Sequence, residues 1–330
     1  MHTRSLAGIW PSLILTALTG IIAGAVEHFA APAGGIRAAW QSNWPGNPAV
    51  RTGGPEYPRQ AVDTDSFTVK VAAPARRIVS QYWSLDEFVY TVVPPERVIA
   101  VSESAYLPTI SNVYHQVQRF QPAMATDLER VLRLSPDLLI VSNSSRADYC
   151  AIVRTAGIPI YRAFTTFTNL EELAQTIRLV GYLTGEDRAA DAEVRRFWTA
   201  IESARARRPP NALRPRILGL SGHYGWGSQT VFDDIVRTLG AVNVAAEGGL
   251  QGSNTVNSEQ IVRWNPEWIV TGTDPGRADE ARSRLLADPA IALTQAARDG
   301  HILVLENRVL LPLSPFTTRL AIALAEALYG

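Results

Sequence analysis

The stretch DLERVLRLSPDLLIV, residues 127–141, returns 130 positions later as NSEQIVRWNPEWIVT, residues 257–271. Aligned without gaps, the two copies share Glu129 with Glu259, Arg133 with Arg263 and Pro136 with Pro266, and they match acidic Asp137 with Glu267. Each copy opens on a residue suited to a helix N-cap, Asp127 or Asn257. A short amphipathic helix follows, then a proline stop, then a β-branched or aliphatic run. The pattern predicts helix, turn and buried strand, built twice, and self-similarity of this kind marks two copies of one structural unit.

The pieces flanking each copy keep the same order. RIVS (77–80) and RILGL (216–220) read as buried strands, and each leads through a polar loop into an amphipathic helix, Leu85 to Val93 and Val231 to Leu239. Downstream, AGIPIYRA (156–163) and DGHILVLE (299–306) place a glycine turn before another strand. Strands alternating with helices in two successive series predict an α/β protein of two Rossmann-like lobes with mainly parallel sheets. Between the series, residues 169–183 and 186–208 carry helical spacing, with Thr168 and Glu171 as a capping box. The second helix would extend about 35 Å, one long rigid rod joining the lobes. The division is then an N-terminal lobe at 57–168, a helical connector at 169–211 and a C-terminal lobe at 212–330.

Composition and the N-terminus set the class. The 330 residues are 46% hydrophobic and 19% charged, with 31 basic against 31 acidic side chains, which is ordinary for a globular chain and gives no field to attract nucleic acid. Cys150, the single cysteine, has no partner for a disulfide or a thiolate metal site and is expected to pack within a helix. After Arg4, residues 5–26 form an uncharged apolar run, within a segment 1–31 that reads either as a cleaved export signal or as a retained membrane anchor. No cysteine follows the run, which argues against a lipid anchor. Residues 32–56 are rich in Pro, Gly and Asn without periodicity and read as a flexible tether. The expected location is periplasmic or otherwise extracytoplasmic, as a monomer.

From about Tyr57 onward the chain resembles the periplasmic substrate-binding proteins of ABC importers for cobalamin, ferric siderophores and heme, the type with a single helix bridging two lobes. The resemblance rests on YPRQAVDTDSFTVKVAAPARRIVS (57–80), PPERVIAVS (94–102), DLERVLRLSPDLLIVSN (127–143), GIPIYRA (157–163), NLEELAQTIRLVGYLTGE (169–186) and LGAVNVAAEGG (239–249). It implies capture of a bulky metal chelate or corrinoid between the lobes and delivery to a permease dimer with its ATPase, with no cofactor of the protein's own. It also implies that Glu129 and Glu259 dock against permease arginines. Their residue-level reading leaves two roles open. A carboxylate in a first helical turn is stabilised by the helix dipole, and it can equally form charge-assisted bonds to a partner. The loop ESAYLP (103–108) stands where the cobalamin binders carry a tyrosine-aspartate-tyrosine-proline run, which weakens a cobalamin assignment. The related zinc and manganese binders ligate a bare ion with several histidines. Here two of the five histidines, His2 and His28, lie outside the fold, and no metal site is expected.

Ligand contacts should come from the loops beyond the carboxyl ends of the strands. Four qualify: Gln81 to Trp83, Glu103 to Tyr106, Gly222 to Gly227, and Thr273 with Asp274. A large planar ligand needs aromatic walls and few polar anchors, so Tyr82, Trp83, Tyr106, Tyr224 and Trp226 are the candidate walls. His223 is read as a hydrogen-bond donor, as an axial metal ligand, or as a plain exposed loop residue. Trp264 and Trp268 are expected in the core.

Enzymatic readings fail on their motifs. GLSGH (219–223) resembles a nucleophile elbow with His223 where glycine is required. GWGSQT (225–230) starts like a dinucleotide fingerprint but has Thr230 at its last glycine. An acyl hydrolase using Ser221 with His301 as base is the remaining catalytic alternative. A tethered ligand sensor without an importer is the other, and it would not need paired docking glutamates.

Overall fold

The computed structural model describes residues 56–118 and 127–330. The apolar segment 1–31 and all but the last residue of the tether lie outside the described residues.

The N-terminal lobe opens with an antiparallel ribbon, β1 (Arg59–Val62) with β2 (Thr68–Val71). Its turn is organised by the Asp63 carboxylate, which accepts the backbone N–H of Asp65 and of Phe67 at 2.9 and 3.0 Å. The lobe's sheet comprises β3 (Ile78–Ser80), β4 (Val98–Ala100), β5 (Leu138–Ser142) and β6 (Ile160–Ala163), all parallel, in the order β4-β3-β5-β6. Helices α1 (Trp83–Val92), α2 (Leu128–Leu134) and α3 (Ala147–Thr155) follow β3, precede β5 and follow β5 respectively. A parallel sheet covered by helices needs apolar strands, and every residue of β5 is buried. Val79, Leu139 and Val141 pack with Val131 of α2 and with Tyr149, Cys150 and Val153 of α3, so the lone cysteine is a core residue of a helix. Leu139 is fully buried. Leu139→Ala is expected to cost about 2–5 kcal/mol, and a urea titration followed by circular dichroism measures it.

The C-terminal lobe holds β7 (Arg216–Ser221), β8 (Tyr224–Trp226), β9 (Val242–Asn243), β10 (Ser253–Thr255), β11 (Trp268–Thr273) and β12 (Ile302–Glu306). β9, β7, β11 and β12 pair in parallel, whereas β8 runs antiparallel to β7 and to β10. The helices of the lobe include α6 (Val231–Thr238), α7 (Ser258–Trp264) and α8 (Ala278–Leu286). Trp264 is in the core, as expected. Trp268 is only half-buried, and its indole stacks on His301 with ring centroids 4.3 Å apart.

Between the lobes run α4 (Leu170–Thr184) and α5 (Asp187–Ala206), which pack on each other. α4 is capped by Asn169, whose side chain accepts Glu172 N–H, while the Glu172 carboxylate takes the N–H of Thr168 at 2.7 Å. The predicted box of Thr168 with Glu171 is thus displaced by one residue, because Asn169 is the better acceptor. α5 begins beside the N-terminal lobe, where Asp187 pairs with Arg59 and Glu186 with Arg97. Just past its other end Arg208 lies over Gly240, and Arg207 pairs with Glu326 of the C-terminal helix α9 (Thr318–Tyr329). Its 20 residues reach about 30 Å, against the 35 Å expected.

The sequence repeat has a structural counterpart. α2 and α7 have seven residues each, their caps Asp127 and Asn257 accept the N–H three residues on, and both end on a left-handed residue, Ser135 and Asn265. After the shared proline, the Asp137 carboxylate accepts the N–H groups of Arg76 and Arg77, and Glu267 accepts that of Arg216. The arginines answer: Arg77 donates to Leu134 O at 2.6 Å and Arg216 to Trp264 O at 3.3 Å, closing the last helical turn. In both lobes an acid and an arginine therefore lock the helix to the first strand of the sheet.

Candidate functional site

The strands of both lobes end toward one another. The backbone carbonyl of Arg308, just past the carboxyl end of β12, accepts a hydrogen bond at 2.9 Å from Asn112 Nδ2 of the N-terminal lobe. Leu170 N–H at the start of α4 donates to Asp234 in the first turn of α6 at 2.9 Å. A cleft bounded by strand ends is the expected place for a ligand in such sheets.

On the N-terminal side, α1 starts two residues earlier than predicted. Gln81 is buried, Tyr82 is the N-cap and Trp83 is the first helical residue, so these side chains sit on a helix start rather than a free loop. Tyr82 and Trp83 are half-buried, their ring centroids 6.5 Å apart. Burial raises the Tyr82 hydroxyl above its usual pKa, opposed by its contacts to Trp83 and Thr165. Gln81 accepts a 2.7 Å hydrogen bond from Tyr149, whose hydroxyl burial pushes up to about 12. Tyr106 closes the short helical turn Glu103–Tyr106 and is half-buried. Its hydroxyl is raised by burial, with Arg130 lowering it and Asp86 raising it further.

The sequence did not single out the polar set at the ends of β5 and β6. Ser142 Oγ lies 2.8 Å from Thr165 Oγ1 and from Ser144 Oγ, and Asn143 Oδ1 accepts from Thr165. The available signal was the SN that closes DLLIVSN. Beneath, fully buried Asp86 accepts Ser102 Oγ and N–H at 2.5 and 3.2 Å, holding the segment that leads to Tyr106.

On the C-terminal side half of the predicted loop 222–227 is strand. Only Gly222 and His223 turn, and Tyr224–Trp226 pairs back on β7, with Tyr224 opposite Ser221. The alternation of a strand puts Tyr224 and Trp226 on one face with Gly219 and Ser221. Trp226 packs on Phe232, with centroids 5.3 Å apart. A side chain at Gly219 would meet both rings at 2.6 Å. Trp226 is therefore partly committed to its own lobe, while Tyr224, opposite Ser221, lies at the carboxyl end of β7. His223 is exposed at the tip of the turn. Its backbone carbonyl accepts Val256 N–H.

Glu129 and Glu259 are both exposed and both occupy the second position of their helices, one helix per lobe. The proposed pair of Ser221 with His301 does not form. Ser221 ends β7, whereas His301 precedes β12 at the opposite edge of the sheet, about four residues or 13 Å away along the strands. Among the described residues, no group of three or more His, Cys, Asp or Glu is placed to hold a metal ion, and no helix is long and apolar enough to cross a membrane.

Two α/β lobes whose strand-end loops meet at Asn112–Arg308 and at Leu170–Asp234 make a bilobed architecture. The chain belongs to the periplasmic binding protein family, whose model matches residues 78–309. It is 28% identical over 258 residues to a cobalamin-binding protein of Halobacterium salinarum, covering 76% of this chain and 69% of that one. It is 32% identical over 108 residues to a vitamin B12-binding protein of Vibrio campbellii, covering 31% and 38%. In fold it is similar to the periplasmic heme-binding protein RhuT from Roseiflexus, with a TM-score of 0.66 at 23% identity, covering 77% of this chain and 98% of that one. It is likewise similar to HutB of Vibrio cholerae, a periplasmic heme-binding protein, with a TM-score of 0.63 at 23% identity and coverage of 77% and 99%.

Proposed function

We propose that the chain is the extracytoplasmic capture subunit of an ABC importer, taking a bulky metal chelate of the corrinoid, heme or ferric-siderophore class into the cleft and docking on the permease through Glu129 and Glu259. The observation that carries the docking role is the equivalence of α2 and α7. Cap, glutamate position, left-handed stop and acid clamp recur in both lobes, yet neither glutamate is used in an intramolecular ion pair among the described residues. Tyr82, Trp83 and Tyr106 form the wall on one side of the cleft. Tyr224, the free part of Trp226 and exposed His223 form the other. Aromatic surface of this kind suits a macrocycle, and both the cobalamin-binding relative and the heme-binding neighbours favour that class over a bare ion.

Tryptophan fluorescence tests the ligand class. Titrating the chain with cyanocobalamin, heme and several ferric siderophores should give saturable quenching by at least one of them. Tyr82→Ala combined with Trp83→Ala should weaken it roughly tenfold or more, since aromatic contacts carry a large share of binding. Absence of quenching by every member would overturn the ligand class. Turnover of chromogenic esters that disappears in Ser221→Ala would instead favour an enzyme.

A further inference from the structure

α1 carries two adjacent carboxylates, Asp86 and Glu87, and both side chains are fully buried. Such groups persist only where donors replace water. Asp86 finds them inside its own lobe, at Ser102. Glu87 does not. One of its oxygens accepts Asn112 N–H at 2.8 Å and Asn112 Nδ2 at 3.0 Å, while the other accepts Ser314 Oγ at 2.5 Å, from a residue 227 positions away.

Asn112 is itself tied to the C-terminal lobe, and Ser314 to the turn that leads into its last helix. Asn112 donates from Nδ2 to Arg308 O and accepts from Arg319. Ser314 is completely buried and caps the short turn Pro315–Thr317, its Oγ accepting Phe316 N–H at 3.2 Å. That turn leads directly into α9, which packs along the connector α5. The chain thus crosses between lobes at α5, and a side-chain bridge independent of it crosses again at Glu87.

We infer that Glu87, with Asn112 and Ser314, is a clasp that fixes the spacing of the two lobes at the base of the cleft, making Glu87 a positioning residue for ligand capture. It contacts the ligand nowhere and acts through the distance between the two aromatic walls. A buried hub whose donors come from both lobes has only a narrow set of lobe arrangements in which all of them are satisfied. The inference builds on capture between the lobes, but its test needs no ligand.

Spin labels on Ile152→Cys and Leu286→Cys, exposed positions on α3 and α8, report the lobe-to-lobe distance by pulsed dipolar spectroscopy, while buried Cys150 stays unlabelled. Glu87→Leu, which deletes every acceptor, should roughly double the width of the distance distribution, as expected when a single constrained state gives way to several. Glu87→Gln keeps an acceptor for Asn112 and can pair with Ser314, and it should restore the wild-type distribution. If Glu87→Leu fails to fold, Ser314→Ala removes the cross-lobe donor, together with the cap on Phe316 N–H, and should still broaden the distribution. An unchanged distribution in Glu87→Leu or Ser314→Ala overturns the clasp, as does Glu87→Gln broadening as much as Glu87→Leu. Failure of any chelate to bind the wild type would count against the proposed ligand class and leave this result standing.

Discussion

Replacing Glu129 and Glu259 together by alanine should abolish uptake through the importer while leaving ligand affinity within about twofold of the wild type. Both side chains are exposed and remote from the packed core, and surface substitutions of this kind cost within about 0.5 kcal/mol, a factor of about two. Docking is a different matter. A hydrogen bond to a charged group contributes about 1.5–3 kcal/mol, so losing one in each lobe removes about 3–6 kcal/mol. That weakens docking by roughly 10²–10⁴-fold. Each single substitution should give an intermediate loss, since the two contacts lie on separate lobes and should add. The check is ligand-dependent growth of cells carrying the double variant, beside equilibrium binding by the purified protein. Normal uptake with normal binding would instead favour a sensor that serves no permease.

The second large effect is a dependence of stability on pH, set by Asp86 and Glu87. Burial pushes Asp86 up from 3.8 to about 7, against the opposing hydrogen bonds of Ser102, and it pushes Glu87 up from 4.5 to about 7, against Ser314, Asn112 and the charge of Arg319. The two carboxylates also repel each other. A carboxyl raised in the folded state binds its proton more tightly there than in the unfolded chain. Its contribution is therefore fully present below the unfolded value near 4 and is lost as pH rises through about 7. At about 1.4 kcal/mol per pKa unit, Glu87 accounts for about 3–4 and Asp86 for about 4–5 kcal/mol over that window, with the pair worth less than the sum because their titrations are coupled. Urea unfolding of the wild type at pH 5 and pH 8 should show the loss on the alkaline side. Asp86→Asn, which cannot ionise, should flatten the curve by most of one group's share. Equal slopes in wild type and variant would contradict the assignment.

Much of the architecture could be read from the chain because the repeat is carried by local chemistry. A cap, a seven-residue helix, a proline and a buried run each leave a signature within a few positions, so both lobes and the matched glutamates followed from residues 127–141 and 257–271. Residues 222–227 are three glycines among polar and aromatic residues and look like a loop. Residues 224–226 form a strand between β7 and β10 because Gly225 leaves room beside Val256 and Leu250, and because bare Gly219 lets Trp226 and Phe232 close over β7. α1 starts earlier than its periodicity predicts, and Tyr82 supplies no capping hydrogen bond to mark the start. Glu87 reads as an ordinary polar position in an amphipathic helix. Only the return of the chain 227 residues later makes it a buried hub, and no local pattern carries that information.

Capture at the facing strand ends is the central claim, and hydrogen exchange on the full chain with and without a saturating chelate tests it most directly. Protection on binding should appear at the starts of α1 and the Tyr106 turn, at residues 142–145, along β8 and its turn, and beside Asp274, with α2 and α7 unchanged. Protection confined to other surfaces, or on one lobe alone, would contradict it.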